Sequence, residues 1–440
     1  MAGILVLFYS ALLTLVIAAL ALRAALSMLR HPRHREGLGE RFGRVRPDLA
    51  AAVAAKRVVW VHAVSVGEVL AASRLVKELG EALGEGWEIV VSTVTQTGQE
   101  LARQRFGADH VFYTPIDFGF SVRAYLNALK PEAIVLIESG VWPRMMHECE
   151  KRGIPVMVAN ARVGDKSFKR ALKMRGLWSR VLRRATLWLA QSEEDARRLV
   201  EMGVPAERVS VSGNLKYDIR APKESELTTR LRKLIGSRPV VVAGSTTAAV
   251  KPKGHNDEED FIVGSWMRLQ QEVSEALLIV APRHPERFGV IENYMYQIKG
   301  VNASELMFYE REESHFSDVK VLCLNTIGDL ASVYSLASVA FVGGSLVKRG
   351  GHNPLEPAQF GVPVVMGSSF ENFRDIVGKM QAADAISIVE DKDVLAAEFA
   401  RLLSDQEAAR AMGERGRKVF EEQQGATKRT VDVIVGRVNR

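Results

Sequence analysis

Short apolar runs alternate along most of the chain with longer stretches in which apolar and polar residues are mixed. The runs predict strands and the mixed stretches, of about 10–15 residues, predict helices; this alternation is typical of a parallel, doubly wound sheet. The pattern loosens into a charged connection at residues 221–223 and starts again at Pro239. We therefore predict two Rossmann-like α/β domains, residues 31–220 and 221–440, facing each other across a cleft.

The apolar runs give the predicted strands. In the first domain they are residues 57–63, 89–93, 110–113, 133–137, 156–160, 187–191 and 209–211, and in the second they are 239–246, 277–281, 319–324, 338–342, 362–367 and 385–389. Ligands of such sheets bind at the carboxyl ends of the strands. Polar residues that directly follow a run are therefore the candidates for a functional site.

The first part of the chain has a different pattern. Residues 2–22 contain no charged side chain, and as a helix they would reach about 31 Å, close to the hydrocarbon thickness of a bilayer. Arg23, Arg30 and Arg33 follow, which by the positive-inside rule places the rest of the chain in the cytoplasm. A cleaved signal peptide would have its positive charge first and a small-residue cleavage site last. We predict a single membrane anchor at residues 1–30, with a buried core helix as the alternative.

The charge and the cysteine content limit which classes of partner, and which compartment, we expect for this protein. The net charge of +7 and the isoelectric point near 9.3 favour an anionic partner such as nucleic acid, a phosphorylated substrate or an acidic lipid. The sequence shows no nucleic-acid recognition motif and no interleaving of aromatic and basic residues, so we do not expect nucleic acid. Cys149 and Cys323 lie far apart, which argues against a disulfide framework and fits a reducing compartment.

The segment Phe341–Ala358, FVGGSLVKRGGHNPLEPA, combines a strand end, two glycine pairs and a predicted helix start. Free backbone N–H groups at such a turn, together with the helix dipole, can bind an anion, and Lys348 and Arg349 add positive charge. Glu356 would lie in the first turn of the helix, where its carboxylate could hold a ribose diol. An ordinary βα loop with an N-cap is the alternative. The concentration of Gly, His, Asn and Glu in one connection favours a nucleotide site.

Two carboxylates of the first domain follow predicted strands. Glu68 comes after a glycine at a strand-to-helix turn, where it could project over the sheet end or simply complement the helix dipole. Glu138 terminates an apolar strand, and a carboxylate buried there without a partner would be costly. Together they suggest general-base chemistry at a sugar or another hydroxyl group.

Basic residues also follow the strands. Lys216 and the pair Arg283 and His284 could meet a phosphate at the sheet edge, or they could be solvated surface charges. A further basic cluster could contact a phosphorylated acceptor or form an ordinary solvated helix face; it comprises Arg162, Lys166, Lys169 and Arg170. The His, Cys, Asp and Glu residues show no metal-ligand spacing, so no metal is implied.

Taken in order, these motifs resemble those of the bacterial transferases of 3-deoxy-D-manno-octulosonic acid (Kdo), which add Kdo from CMP-Kdo to the lipid A precursor, lipid IVA. The resemblance rests on SVGE at 65–68, Glu138 with Trp142 and Pro143, ANAR at 159–162, GNLKYD at 213–218, RHP at 283–285 and GGHNPLEPA at 350–358. It covers nearly the whole chain, including the N-terminal apolar run and the ERFG at residues 40–43 that follows it.

The resemblance implies a GT-B fold with an acceptor-binding first domain, a CMP-Kdo-binding second domain, and inverting transfer that requires no metal or other cofactor. Glu68 matches the family's proton acceptor, and Glu138 and Lys216 match positions that stabilise the transition state. The positions that match CMP-binding segments are Pro282, Arg283, Ile327, Gly328, Asp329, Asn353, Pro354, Leu355 and Glu356. The expected partners are CMP-Kdo, the lipid A precursor and the membrane, and the expected location is the cytoplasmic side of the inner membrane.

Three positions depart from the family pattern. Gly140 stands where a second glutamate is usual, and Asp329 stands where glutamate is usual. Residues 247–250 replace a segment that often contains a histidine and acids. Two other functions stay open: a different GT-B enzyme that transfers or epimerises another sugar nucleotide, and a non-catalytic, membrane-tethered nucleotide-binding protein.

Overall fold

The structure is a computed structural model that describes residues 36–439 apart from residues 139, 219–220, 223, 250–256, 297–305 and 309–315. The predicted anchor at residues 1–30 lies outside this range. Within the described residues, no helix is both long enough and apolar enough to cross a membrane. The described chain divides into two compact units, one with the residues up to 218 and from Gly425 onward, the other with the residues between.

The first unit contains a seven-stranded parallel sheet. Its strands are β1 Arg57–His62, β2 Trp87–Thr93, β3 Val111–Tyr113, β4 Ala133–Ile137, β5 Val156–Ala161, β6 Leu187–Ala190 and β7 Val209–Val211, in the order β3-β2-β1-β4-β5-β6-β7. The inner strand β1 reads Arg-Val-Val-Trp-Val-His and is buried from its second residue onward. Strands with long apolar runs are expected where helices cover both faces of a parallel sheet.

Helices connect these strands. They are α1 Leu38–Arg41, α2 Pro47–Val53, α3 Val66–Leu83, α4 Gln96–Phe106, α5 Gly119–Leu129, α6 Pro143–Arg152, α7 Asp165–Lys173, α8 Arg175–Leu182 and α9 Glu193–Glu201. Side chains fix some of their starts, since the Thr95 hydroxyl accepts a hydrogen bond from the Gly98 N–H at 3.1 Å. The helix predicted to follow the strand-to-helix turn at Glu68 is confirmed as α3.

The second unit repeats the arrangement. Its strands are β8 Val240–Thr246, β9 Leu277–Pro282, β10 Leu306–Phe308, β11 Val321–Cys323, β12 Val339–Val342, β13 Val364–Gly367 and β14 Ile386–Val389, in the order β10-β11-β9-β8-β12-β13-β14. Among the described residues, the strands of both sheets pair in parallel, so the prediction of two parallel-sheet domains is confirmed. The sequence did not predict β10, because its three apolar residues stand between polar, charged segments.

The helices of the second unit are α10 Glu226–Ile235, α11 Glu258–Glu272, α12 Phe288–Tyr296, α13 Leu330–Val333, α14 Leu355–Ala358, α15 Arg374–Ala382, α16 Lys392–Ser404 and α17 Gln406–Glu422. One close approach requires glycine. A Cβ added to Gly413 in α17 would lie 1.9 Å from the carbonyl oxygen of Gly361, so only a residue without a side chain fits there.

The last helix, α18 Ala426–Val438, belongs to the first unit, although the sequence pattern assigned all of residues 221–440 to the second domain. Its apolar residues Ile434 and Val438 lie in the same buried cluster as Val59. The Asp218 carboxylate accepts hydrogen bonds from the backbone N–H groups of Gly425 and Thr427 at the start of this helix. An amphipathic pattern predicts that a helix covers a core, but not which of two cores.

Candidate active site

The strand order of the first sheet reverses at β1 and β4, which are neighbours although β2 and β3 lie between them in sequence. Residues after these two strands lie at the edge of the sheet where doubly wound proteins bind ligands. Glu68 follows β1, Glu138 follows β4, and Lys216 follows β7. The structure brings these three predicted residues close enough for the charges of Glu138 and Lys216 to act on Glu68.

Glu68 lies in the first turn of α3, after Ser65 at the N-cap. Its Oε2 accepts a hydrogen bond from the backbone N–H of Val64 at 2.7 Å, which orients the carboxyl group. Burial raises its pKa to about 7; the bond from Val64 opposes this shift, the charge of Glu138 adds to it and that of Lys216 reduces it. Glu68 is therefore a helix-start acid, as the simpler interpretation held, and also a carboxyl group that titrates near neutral pH.

Glu138 forms an ion pair with Lys216. The Lys216 Nζ lies 2.6 Å from the Glu138 Oε1, and the two side chains are 38% and 18% exposed. The carboxylate at the end of β4 is thus paired, which removes the cost expected for an isolated buried charge. Glu138 also has a φ of 62°, a left-handed conformation that is uncommon for a residue with a side chain. Strain of this kind is often found at functional sites.

Two asparagines hold the loop that carries Lys216. The Oδ1 of Asn160, at the end of β5, accepts from the backbone N–H of Leu215 at 3.0 Å, and the Oδ1 of Asn214 accepts from the N–H of Lys216 at 3.0 Å. Asn160 is fully buried and has a φ of 57°. The sequence analysis placed Asn160 in a family motif but gave it no role. The sequence feature that could have identified Asn160 is a polar residue inside an apolar strand, since a buried polar side chain needs a specific hydrogen-bond partner.

This arrangement can move a proton near neutral pH. A carboxyl group with a pKa of about 7 is partly ionised there and can accept a proton from a hydroxyl group. The neighbouring ion pair provides a carboxylate and an ammonium group at the same sheet edge. An ammonium group can stabilise a phosphate, and a carboxylate can stabilise a developing positive charge.

The second unit brings together three of the residues matched to CMP binding. Asn353 hydrogen-bonds the side chain of Glu356, and Arg283 lies near enough for its charge to act on the same carboxyl group. Burial raises the pKa of Glu356 to about 7, against the effects of Arg283 and Asn353. Burial also lowers the pKa of the adjacent His352 to about 4, and the charge of Arg283 contributes to this. His352 is consequently neutral at physiological pH.

The other matched residues lie on neighbouring loops. Pro282 ends β9, while Ile327, Gly328 and Asp329 lie between β11 and α13. Since β9 and β11 pair in parallel, both loops are at the same edge of the second sheet. The Ile327 side chain is 78% exposed, an unusual position for a large apolar group. Pro354 and Leu355 are buried at the start of α14, which is only four residues long.

The glycine-rich turn differs from its prediction. We expected its backbone N–H groups to be free for an anion, but those of Gly344, Ser345 and Leu346 already donate to the carboxylate of Glu258. Gly344 and the two residues after it therefore bind a carboxyl group that belongs to the protein itself, while the N–H of Gly343 donates to the carbonyl of Gly244. The sequence analysis gave Glu258 no role, and its signal in the sequence is a run of four consecutive acids at a helix start, residues 257–260.

Two further predictions concern charged groups. In the basic cluster, Lys166, Lys169 and Arg170 are exposed on α7 while Arg162 is partly buried, which is compatible with both interpretations given for it. Among the described residues, no group of three or more His, Cys, Asp or Glu side chains could hold a metal ion.

Two family models match the chain. Residues 36–219 match the model of 3-deoxy-D-manno-octulosonic-acid transferase (kdotransferase). Residues 247–419 match the model of glycosyl transferases group 1. The first match ends where the two structural units divide, and the second begins directly after β8.

Curated relatives resemble the chain over almost its whole length. A 3-deoxy-D-manno-octulosonic acid transferase of Haemophilus influenzae is 32% identical over 97% of this chain and 97% of that protein. Another, of Bordetella pertussis, is 30% identical over 96% of this chain and 97% of that protein.

Solved structures share the fold. The UDP-GlcNAc 2-epimerase of Neisseria meningitidis bound to UDP-GlcNAc superimposes with a TM-score of 0.57, at 12% identity, over 86% of this chain and 100% of that chain. At this identity the likeness concerns the fold alone. Together with the glycosyl-transferase match, it confirms two Rossmann-like domains of the GT-B-like type.

Proposed function

Because the chain belongs to the 3-deoxy-D-manno-octulosonic-acid transferase family of glycosyltransferases, we propose that it transfers Kdo from CMP-Kdo to lipid IVA in lipopolysaccharide biosynthesis. Two relatives are named 3-deoxy-D-manno-octulosonic acid transferase, and the similarity to them extends over both units. The observation that carries the proposal is the group formed by Glu68, Glu138 and Lys216, in which the pKa of Glu68 is raised to about 7.

In the proposed mechanism, Glu68 acts as the general base. A hydroxyl group of the acceptor attacks the anomeric carbon of Kdo while its proton passes to the Glu68 carboxylate, and the bond to the CMP phosphate breaks. A base works best when its pKa is near the operating pH, and the pKa of Glu68 meets this condition. Glu138 would stabilise positive charge developing on the sugar, and Lys216 would stabilise the departing phosphate.

The second unit would bind the donor. Arg283, Asn353 and Glu356 form one group in that unit, and a carboxylate beside an asparagine can accept hydrogen bonds from the hydroxyl groups of a ribose. Ile327, Gly328 and Asp329, on the neighbouring loop, would complete the CMP site together with Pro282, Pro354 and Leu355.

The proposal also includes a membrane location and a reaction without a metal. The uncharged run at residues 2–22 and the basic residues after it support a single-pass anchor in the inner membrane, with both units on the cytoplasmic side. The acceptor is a lipid, so an anchor would hold the enzyme at the surface where the acceptor lies. Lys216 supplies a positive charge for the phosphate without a metal.

The test is transfer in vitro by the purified full-length protein in detergent. We expect release of CMP and an increase in acceptor mass by one or more Kdo residues when CMP-Kdo and lipid IVA are both supplied, unchanged by a chelator. Parallel reactions with UDP sugars examine the other GT-B activities. Release of UDP, epimerisation of a UDP sugar, or binding of CMP without any turnover would refute the proposed function.

A further inference from the structure

One buried side chain, outside the group just described, joins two loops that lie at the same edge of the second unit's sheet as the CMP-matched residues. Glu258 is the first residue of α11 and has no exposed surface. Its Oε2 accepts from the backbone N–H groups of Thr247 and Gly344, at 3.1 and 2.7 Å. Its Oε1 accepts from those of Ser345 and Leu346, both at 2.9 Å. A single carboxylate therefore satisfies four backbone donors on two loops.

The first of these loops follows β8 and supports Arg283. The backbone N–H of Glu258 donates to the carbonyl of Thr247 at 3.3 Å, so main chain and side chain both hold Thr247. The carbonyl of the preceding residue, Thr246, accepts from the backbone N–H of Arg283 at 3.0 Å. The last residue of β8, which directly precedes the residue that Glu258 holds, is thus bonded to one of the proposed donor-binding positions.

The second loop follows β12 and supports Asn353 and Glu356. The carbonyls of Gly343 and Gly344 accept from the backbone N–H groups of His352 and Gly351, at 3.1 and 2.8 Å. Asn353 follows His352 directly in the chain. Since β8 and β12 are neighbours at the point where the order of the second sheet reverses, both loops lie at its ligand-binding edge.

We propose that Glu258 is a positioning residue for the donor nucleotide: its carboxylate fixes the two loops at the separation at which Arg283, Asn353 and Glu356 can bind CMP together. The inference deepens the proposed function and rests on it. It assigns a role to an acid that does not touch the substrate. The N–H groups of Gly344, Ser345 and Leu346 then serve to receive this internal carboxylate rather than a phosphate.

The chemistry requires a carboxylate at this position. Its two oxygens offer about four acceptor sites, which match the four donors, whereas the amide of glutamine offers one oxygen and two additional N–H donors. Glutamine would therefore leave two of the backbone N–H groups facing a donor, and a buried group without a partner drives local rearrangement. Glu258→Gln keeps the size of the side chain and removes only this match.

The experiment measures CMP binding by calorimetry and steady-state transfer for Glu258→Gln in the full-length protein. We expect the dissociation constant of CMP to rise at least about tenfold, the effect of losing roughly one hydrogen bond to a charged group. The KM for CMP-Kdo should rise with it, while kcat at saturating donor changes less than about threefold, because donor binding and not the proton transfer is disturbed.

Asp218→Asn is the matched control. Asp218 is also a buried carboxylate that accepts two backbone N–H groups at a helix start, but it lies in the first unit. This substitution should lower the melting temperature and leave the affinity for CMP unchanged. A purely structural cost would make the two variants behave alike.

Gly344→Ala disturbs the same loop without changing Glu258. Gly344 has a φ of 70°, and a Cβ there would lie 2.8 Å from the His352 ring. We expect it to weaken CMP binding, and the double variant with Glu258→Gln to be weakened less than the product of the two single effects, because both act on one loop.

Three results would overturn the inference: CMP affinity at the wild-type level in Glu258→Gln, independent effects of Glu258→Gln and Gly344→Ala, or a Glu258→Gln protein that fails to fold while Asp218→Asn folds. In each case the wild type still transfers Kdo, so the inference alone fails. A wild type that binds no CMP would instead refute the proposed function, and this inference with it.

Discussion

Replacing Glu68 by glutamine removes the proposed base and little else. The oxygen of the glutamine amide can still accept the hydrogen bond from the backbone N–H of Val64, which measures 2.7 Å in the wild type, so the turn should keep its shape. The amide cannot take up the proton of the acceptor hydroxyl. General-base catalysis contributes about 100- to 10,000-fold, so we expect kcat to fall at least about 100-fold while the affinity for CMP-Kdo stays nearly unchanged.

The pH profile gives an independent measure of the same group. The base is active when deprotonated, and with a pKa of about 7 the ionised fraction of Glu68 grows about tenfold between about pH 6 and about pH 8. The wild-type rate should rise by that factor, and the rate of Glu68→Gln should not follow this rise. Stability should change in the opposite direction. The folded pKa of about 7 lies above the usual 4.5, so the contribution of Glu68 to the free energy of unfolding is full below about pH 4.5 and is lost as the pH rises from there through about 7.

The assay is single-turnover formation of the Kdo-bearing product, which reports the chemical step rather than product release. Glu138→Gln is the control. It should also lower the rate, and raising the pH should not restore wild-type turnover. Because the charge of Glu138 raises the pKa of Glu68, its loss should also move the midpoint of the pH profile to lower pH. A Glu68→Gln enzyme within a few-fold of the wild-type rate in this assay would remove Glu68 from the mechanism.

Three further predictions concern the donor site, the packing of the second unit and the anchor. Glu356→Ala should weaken CMP binding by about 1.5–3 kcal/mol if its carboxylate accepts from ribose hydroxyls, and unchanged affinity in calorimetry would leave it a helix-start acid. Gly413→Ala should lower the free energy of unfolding by about 1–3 kcal/mol through its clash with Gly361, whereas Gly436→Ala, with no neighbour within 4 Å, should not; chemical denaturation compares them. Deleting residues 1–30 should release the protein from membranes, as fractionation would show, and a full-length protein in the soluble fraction would contradict the anchor.

The fold could be predicted from the sequence because its signals are local. Strands β1, β4, β8 and β12 are each a short apolar run, and such a run can be recognised without knowing which strand pairs with it. The side chains at the sheet edge could also be named, since Glu138 directly follows such a run and Glu68 lies at the turn after another. Their position in sequence was enough to select them as candidates.

Properties that depend on distant residues could not be predicted in this way. The pKa of Glu68 follows from its burial and from Glu138 and Lys216, which are far from it in sequence. The carboxylate of Glu258 reaches Gly344, 86 residues away, and no local pattern shows that an internal acid occupies the glycine turn. The amphipathic pattern of α18 was recognisable, but its assignment to the first unit depends on its contacts there.

Because α18 belongs to the first unit, that unit is the first to be synthesised but cannot be completed until the end of the chain has been made. A nascent chain that has emerged as far as Gln424 contains every residue of the second unit, yet the first unit still lacks the helix that covers Val59 and Val61. Domains generally fold as units while the chain is made, with the N-terminal one first. Here the unit that begins first is completed last, and until then part of its apolar core is open to chaperones and to other nascent chains.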